Sequence, residues 1–439
     1  MVAIAAVSKT SASNPVAFYR ILVRDKNLQF IGEATWQRLQ INLFFNEVGR
    51  WQIEVDGKSE TAELFRRIAA DPENEGKGGI YITRNGHFLI SGPMTEIEEE
   101  VSQEGERLII SGSCDLRFIE NHLALPHPQY FNSPYMTLDG TASGGHSDYI
   151  PDKASPAALY ASTHIHTAVR SNIGEGAPSQ RPPLPFLTTR DNQVGYLIPA
   201  GEHTIARGEN LFELCKGVAD YSDYKGYPIR MTAYQYQSGV NSDGSPAYKI
   251  MFECIAAQDK PNALLSPEAG TVTAYTYRRE APEANKILMG GSGQGKARKF
   301  AYGGDSVSQG LYGIIESFEE YTGGEETNWA TEEKLLKKEI DAILAERAEK
   351  TIFAFQFQET PAVQYGEHFQ IGDRVPIVIK NQSTMEVIRE VSFDVSGEEE
   401  TIEIVAGPQS AISRGLRLFD RVKKLEHRYS GLTKRTLGE

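Results

Sequence analysis

Cysteine is scarce in this chain. Only Cys114, Cys215 and Cys254 occur, far apart and odd in number, so neither a disulfide framework nor a CxxC zinc site can be drawn. That usage fits synthesis in a reducing cytoplasm. Long apolar runs are absent too: nowhere do 18 apolar residues run together, so no segment is expected to satisfy its backbone across a bilayer, and no membrane anchor is expected. Val2 to Val7 is apolar but short and lacks a basic leader, so no export signal is expected either. An excess of positive charge is also missing. Asp and Glu number 59 against 45 Lys and Arg, a formal charge of −14, and such a chain repels phosphate, which disfavours nucleic-acid binding. The same charge would suit a surface past which DNA slides without sticking.

What is present points to strands. Phe and Tyr number 19 and 20 among 439 residues, and rings fit a pleated surface well; the length suggests about three domains. From Pro15 to Pro126 alternation dominates: Leu39, Ile41 and Leu43 share one face, as do Trp51, Ile53 and Val55. Ile80 and Ile82 lead into Asn85-Gly86, a dipeptide suited to positive φ at both turn positions, after which Phe88 and Ile90 resume the alternation. Leu108 and Ile110 predict another strand, and the spacing of Leu116, Ile119 and Leu123 predicts a closing helix ended by Pro126. A β-barrel-like domain results.

Residues 127–191 turn to Pro, Gly, Ser and Thr and read as a loop-rich insertion. One helix is expected there, from Ala157 to Ser171, with Pro156 at its first turn behind Ser155. Between 192 and 327, strands are expected around Ile229 to Tyr236, Tyr248 to Ile255 and Val272 to Tyr277, preceded by a short helix from Asn210 to Val218. From Asn328 to Ala348, Leu335, Leu336, Ile340, Ile343 and Leu344 form one helical stripe. Alternation then returns in TIFAFQFQ, HFQIGDRVPIVI, VIREVSFDV and TIEIVAG, a second meander with turns at Gly372-Asp373 and Gly397. The end is basic: Arg414, Arg417, Arg421, Lys423, Lys424, Arg428, Lys434 and Arg435 accompany Leu416, Leu418, Phe419, Val422 and Leu425, which suits docking on an acidic neighbour or a solvated end.

Several motifs invite chemistry and fall short of it. In MGGSGQGKA, Gly290, Gly295 and Lys296 satisfy the GxxxxGK part of a phosphate loop, but Ala297 stands where a magnesium-binding hydroxyl is required, and Ala301 to Gly304 reads as turn, not helix. A flexible or inter-subunit glycine loop is the better reading. His164 and His166 lie two apart, which on a helix separates their rings and prevents shared metal ligation. Ser292 lacks the last glycine of a nucleophile elbow, and nothing places a cysteine beside His203 or His146. The runs Glu98 to Glu100, Glu319-Glu320, Glu325-Glu326 and Glu398 to Glu400 read as solvated faces, not as glycosidase acids paired across a cleft. Tyr221, Tyr224 and Tyr227 would suit sugar stacking if exposed. No catalytic, cofactor-binding or metal-binding residue is therefore assigned.

The order and wording of FLISGPMTEIEEE, LIISGSCDLRFIENHLALP, FELCKGVADYSDYKGYPIRMTAYQ, GTVTAYTYRREAPEANKILMGGSGQGKAR, HFQIGDRVPIVIKN and VIREVSFDV resemble the minor tail or baseplate hub proteins of siphophages, a family related to the hub and late-control proteins of contractile tails. The likeness spans most of the chain and fades from His127 to Arg190 and beyond Gly407. It implies a virion protein, not an enzyme and without cofactor. It further implies a homotrimer in which two tube-like β-barrels per chain build a pseudo-sixfold ring. That ring would join the distal tail or tail-tube ring to a tail fibre or tip, with a tape measure protein a further possible neighbour and DNA passing through its lumen unbound. The glycines of MGGSGQGKAR would then be backbone features.

The expected fold is mainly β with α (α+β), two tube-like β-barrel domains with smaller insertions: a first barrel in 1–126, the insertion in 127–191, an α+β middle domain in 192–327, a helix and second barrel in 328–407, and a basic tail in 408–439. The expected role is a tail-tip hub. The alternatives are a tail-associated cell-wall or polysaccharide hydrolase and a carbohydrate-binding tip module.

Overall fold

Alternation in the sequence becomes pairing in the computed structural model, which describes residues 17–125, 158–199, 210–321 and 329–407 apart from the single positions 104, 180, 182, 294, 381 and 398. The first meander contains β1 (Tyr19–Arg24), β2 (Phe30–Glu33), β3 (Arg38–Phe44) and β4 (Arg50–Asp56), then helix α1 (Glu60–Ala70), β5 (Gly79–Arg84), β6 (His87–Ser102), β7 (Gly105–Ser113) and a single turn of helix, α2 (Arg117–Glu120). Leu39, Ile41, Leu43, Trp51, Ile53 and Val55 are all buried, with Leu39 opposite Ile53 and Ile41 opposite Trp51. Each such side chain contributes about 1.5–3 kcal/mol by leaving water.

Asn85 and Gly86 both take positive φ, +51° and +82°, and turn β5 into β6 as their residue types require. The alternation beyond them slips. The register shifts at Ile82/Thr83, so that Ile82 faces Ile90 and Thr83 faces Phe88; the extra residue turns Phe88 outward, where it is 40% exposed and leans on Tyr81 and Tyr234. The expected closing helix shrinks to α2, because Leu116 and Ile119 are buried while Leu123 is 49% exposed and sits in a bridge to Asn210. Helix α1 was not among the expected elements. Ser59 caps it by accepting the Ala62 N–H, and Ala62, Phe65 and Ile68 form its buried stripe.

Next come β8 (Leu159–Tyr160), α3 (Ala161–Asn172), β9 (Leu187–Arg190), β10 (Leu197–Ile198), α4 (Leu211–Tyr224), β11 (Ile229–Val240), β12 (Pro246–Ala256) and β13 (Val272–Glu280). The start expected for α3 at Ser155 and Pro156 lies outside the described residues; Ala161 begins the helix after β8. Asn210 caps α4 by accepting from the N–H groups of Phe212 and Glu213. β11 pairs antiparallel with β12, which pairs parallel with β9. Ile165 and Val169 of α3, Phe212, Cys215 and Val218 of α4, and Met231, Ile250 and Phe252 share one core with Leu28, Phe118 and Ile119 of the first meander.

The remaining elements are β14 (Lys286–Gly290), β15 (Phe300–Gly304), α5 (Ser306–Tyr312), β16 (Glu316–Glu320), α6 (Trp329–Glu346), β17 (Lys350–Phe357), β18 (Arg374–Ile379), β19 (Gln382–Ser396) and β20 (Glu399–Ala406). Ala301 to Gly304, expected as turn, is strand: Ala301 pairs with Met289, and both are buried beneath Leu336 and Ile340 of α6.

The described residues form two compact units. One runs up to Asp223 and adds Tyr227–Ala274 and Gln356–Ile404; the other holds Tyr224–Gly226, Tyr275–Phe355 and the described residues from Val405. Within the first unit the strand order is β20-β19-β3-β4-β7-β6-β5-β1-β2, with β18 also on β19. The two meanders are thus hydrogen-bonded to each other through β3 and β19, Ile41 facing Phe393 and Leu43 facing Val391. The path is open: among the described residues no pairing returns from β2 to close it into a barrel. In the second unit β14 lies between β15 and β16, while β13 neighbours β17, the rings of Tyr277 and Phe353 being 5.4 Å apart.

Candidate functional site

Two buried charge clusters fix the first unit. Arg24 and Asp115, neither exposed at all, form a two-pronged ion pair with Nη2–Oδ1 at 2.6 Å. Ser91 donates to Asp115 at 2.5 Å and accepts the N–H of Gln235; Gln235 Nε2 donates to the Leu28 carbonyl. Asn46 completes this seam, donating to the Ile229 carbonyl and accepting the Met231 N–H. These side chains satisfy backbone groups that would otherwise be buried unpaired, and so dock β11 onto the large sheet.

The same seam explains the two Ser-Gly steps in FLISGPM and LIISGSC. A Cβ on Gly92 would run into the Ser113 carbonyl, and one on Gly112 into the Trp51 ring, so only glycine permits this approach.

The second cluster joins the two meanders. Arg84 on β5 holds Glu400 on β20 through both Nε and Nη2 at 2.8 Å, and Glu359 through Nη1 at 2.8 Å, while the Tyr19 hydroxyl donates to Glu400 at 2.5 Å. Burial opposes the charge on Arg84, but the bonds to Glu400 and Glu359 hold its pKa above the ordinary arginine range. Burial raises the Tyr19 phenol as well. Glu400 is therefore not part of a solvated run, a correction to the reading of 398–400. The signal was present, since Ile80 and Ile82 on β5 and Ile402 and Ile404 on β20 define inward faces that Arg84 and Glu400 continue.

A third group lies along α4. Lys216 pairs with Glu47 at 2.9 Å, Arg389 pairs with Asp223 at 2.7 Å, and the Arg389 guanidinium sits 4.5 Å from the Phe45 ring centroid. Asp220 Oδ1 is buried with no hydrogen-bond partner among the described residues. Burial pushes the Asp220 carboxyl up to about 7, against the pull of Lys216 and with the repulsion of Asp223 added.

The glycine loop joins two antiparallel strands, β14 and β15, and not a strand to a helix. Ser292 donates through its N–H at 2.5 Å and its hydroxyl at 2.7 Å to Glu332 of α6. A carboxylate thus occupies donors that a phosphate loop would turn to its anion. A Cβ on Gly291 would meet that carboxylate and Leu336. Glu332 is buried, which works against ionisation, yet the Ser292 bonds and Lys299 hold its pKa below the usual range.

The other singled-out residues do not converge. His164 and His166 both lie on α3, and His166 Nε2 meets the Thr189 hydroxyl at 3.1 Å. Among the described residues no group of three or more His, Cys, Asp or Glu is placed to hold a metal. All three cysteines are free thiols; burial pushes Cys114 and Cys215 up to about 12 and raises Cys254 well above the usual range. His146, His203, Glu325, Glu326 and the basic residues from Arg414 onward lie outside the described residues. Glu98 to Glu100 are exposed on the outer part of β6, where Glu99 pairs with Arg66 and Glu100 with Arg107. Glu319 pairs with Arg347 and Glu320 with Arg298. Tyr221 and Tyr227 each pack against Tyr196, at 5.8 and 5.9 Å, while Tyr224 is 43% and Tyr227 55% exposed.

The chain belongs to the family described as Siphovirus ReqiPepy6 Gp37-like protein, which matches residues 20–408, and the resemblance to siphophage tail proteins read from the sequence holds. Its fold is that of phage tail proteins. It is similar to the tail protein from Neisseria meningitidis MC58 at 11% identity and a TM-score of 0.52, over 90% of this chain and 97% of that one. It is likewise similar to the prophage MuSo2 43 kDa tail protein from Shewanella oneidensis at 13% identity and a TM-score of 0.51, over 89% of this chain and 99% of that one. No curated protein matches. No helix among the described residues is long and apolar enough to cross a membrane.

Proposed function

We propose that the chain is a structural tail-tip or baseplate hub subunit of a siphophage, three copies of which form a ring joining the sixfold tail tube or distal tail ring to a threefold fibre or tip. One observation carries this reading: nearly the whole of two tail proteins, 97% and 99% of their lengths, is matched by nine-tenths of this chain. The two meanders support it further. In this reading each curves into one tube-like wall, so that three chains present six quasi-equivalent walls, and the Arg84 cluster and the β3–β19 pairing keep the two walls in register within a chain.

The ring has no catalytic role in this reading and lets the genome pass. Three copies of a chain of charge −14 carry about −42 in all, and the outer part of β6 exposes Glu96, Glu98, Glu99 and Glu100, which would repel the DNA backbone from a bore. Virion assembly, contact with a tape measure protein and the docking of the 127–191 insertion on a neighbour belong to the same proposal. Native mass spectrometry of the full chain, with cryo-electron microscopy of tails, is expected to find three copies around the tail axis. A monomer in virions, or lysis of host cell wall by the purified chain, would overturn it.

A further inference from the structure

One flank of α4 meets the joint between the two meanders. Lys216, Asp220 and Asp223 are spaced by four and three residues, which sets them on one side of the helix. Across from them lie Phe45 and Glu47, just past β3, and Arg389 of β19, whose carbonyl accepts the Phe45 N–H at 2.8 Å. Two of the three helix charges are paired across this contact: Lys216 holds Glu47 at 2.9 Å, and Arg389 holds Asp223 at 2.7 Å. Asp220 stands between the pairs and belongs to neither. Its Oδ1 is buried without a hydrogen-bond partner among the described residues, so the ionised form finds no donor there to replace water.

The surroundings set two cations against several carboxylates. On α4 itself Lys216 attracts a charge at Asp220 and Asp223 repels it; from outside the helix Arg389 attracts and Glu47 repels. Glu213 of α4 acts on Lys216, and Glu386 of β19 acts on Arg389. The helix works in the same sense as the carboxylates. Asp220 and Asp223 stand toward its C-terminal end, where the dipole disfavours anions and no basic residue lies in the last turn. Burial above all, with these charges on either side, lifts the Asp220 carboxyl to about 7. It stays protonated unless a cation turns to it.

We propose that Asp220 exchanges the partner of Lys216 as it gains or loses its proton. Neutral, it leaves Lys216 to Glu47, and α4 is pinned to the turn between β3 and β4; ionised, it draws Lys216 along the helix to itself, and the pin is released. Lys216 is the cation able to move. It is one turn from Asp220, where helix side chains are neighbours, its stem is flexible, and Glu47, 40% exposed, is solvated once released. Arg389 is held in place. It is 5% exposed, binds Asp223 and lies 4.5 Å from the Phe45 ring centroid, so moving it would strand a carboxylate that is itself 13% exposed. The pin is therefore present below about pH 7 and lost as pH rises through that value. The device lies within one chain, so its failure leaves the hub reading untouched.

Double-mutant cycles on the full chain test this, with folding constants read from urea unfolding at about pH 5.5 and 8.5. Lys216→Gln and Glu47→Gln are expected to couple by several-fold at the lower pH and not at the higher. Lys216→Gln and Asp220→Asn are expected to show the reverse, no coupling at the lower pH and several-fold at the higher. In an Asp220→Asn background the Lys216–Glu47 coupling is expected to persist at both. All of these substitutions keep side-chain size, and each cycle compares folded variants at one pH, so a general loss of stability cancels. A Lys216–Glu47 coupling that is absent at the lower pH, or equal at both in the wild-type background, would overturn the proposal. So would its loss at the higher pH when Asp220 is already Asn.

Discussion

Asp220 is a residue whose ionisation runs against the fold. Its carboxyl is raised to about 7 by burial, and of the groups around it Lys216 and Arg389 favour the charge while Asp223 and Glu47 oppose it. A raised carboxyl binds more protons folded than unfolded, so its contribution is fully favourable below the unfolded value near 3.8 and is lost as pH rises toward 7. Asp220→Asn removes that loss. The variant is expected to match the wild type near pH 4 and to exceed it by about 1–3 kcal/mol at pH 8.5, read from urea midpoints at the two pH values. Equal midpoints at pH 8.5 would show that the carboxylate is solvated there. Arg84 and Glu400 show the opposite case, in which each buried charge finds its partner and several neutral or charged bonds besides. Reading alternation strictly through polar positions would have placed both inward. A run of like charges is usually a solvated face, which is why Glu400 reads from the sequence as exposed with its acidic neighbours.

Elements were legible where the pattern is local. The stripe of α6, the turn at Asn85-Gly86 and strands β3, β4, β7, β11 and β12 all follow from periods that a sequence displays directly. Helix α1 is legible as well, in Ser59 as cap with Ala62, Phe65 and Ile68 at helical spacing, although it is a short element set between strands. Phe88 was not legible, since a one-residue bulge moves a side chain to the other face without changing the pattern of residue types. Strand β15 was hidden for a related reason: glycines at its end suggested a turn, whereas pairing on β14 under α6 supplies the stability. The same close packing gives a paired prediction. Gly92→Ala would press a methyl into the Ser113 carbonyl, whereas Gly217, in the interior of α4, has nothing within 4 Å of its would-be Cβ. Gly92→Ala is expected to cost at least about 1–3 kcal/mol, and Gly217→Ala to gain about 0.5–1 kcal/mol. Thermal melts of the two variants should move in opposite directions.

For the whole molecule, the hub reading assigns the acidic surface a task that binding assays on the isolated chain would not reveal. If the exposed carboxylates of β6 face the genome's path, then Glu96→Lys, Glu98→Lys and Glu100→Lys together place cations where DNA must slide. Phages carrying all three are expected to adsorb normally and to release DNA several-fold more slowly, with the delay shrinking as salt is raised. Release followed by a DNA-binding dye checks this; unchanged kinetics would remove these residues from the bore.

By itself the sequence determined the β-rich class, the secure helix, the tight turn, the acid excess and the likeness to siphophage tail proteins, because composition, short periods and short motifs are all carried by near neighbours in the chain. Only the tertiary structure decided that β3 and β19 pair across some 350 residues, that Arg24, Arg84 and Glu400 are interior, that Glu332 meets the glycine loop, and that Leu288, Phe300, Tyr302 and Phe318 are exposed among the described residues. Those outcomes depend on register and on which surfaces meet. Period-two alternation fixes which residues share a face of a strand, but the partner of that face is chosen by contacts distant in sequence.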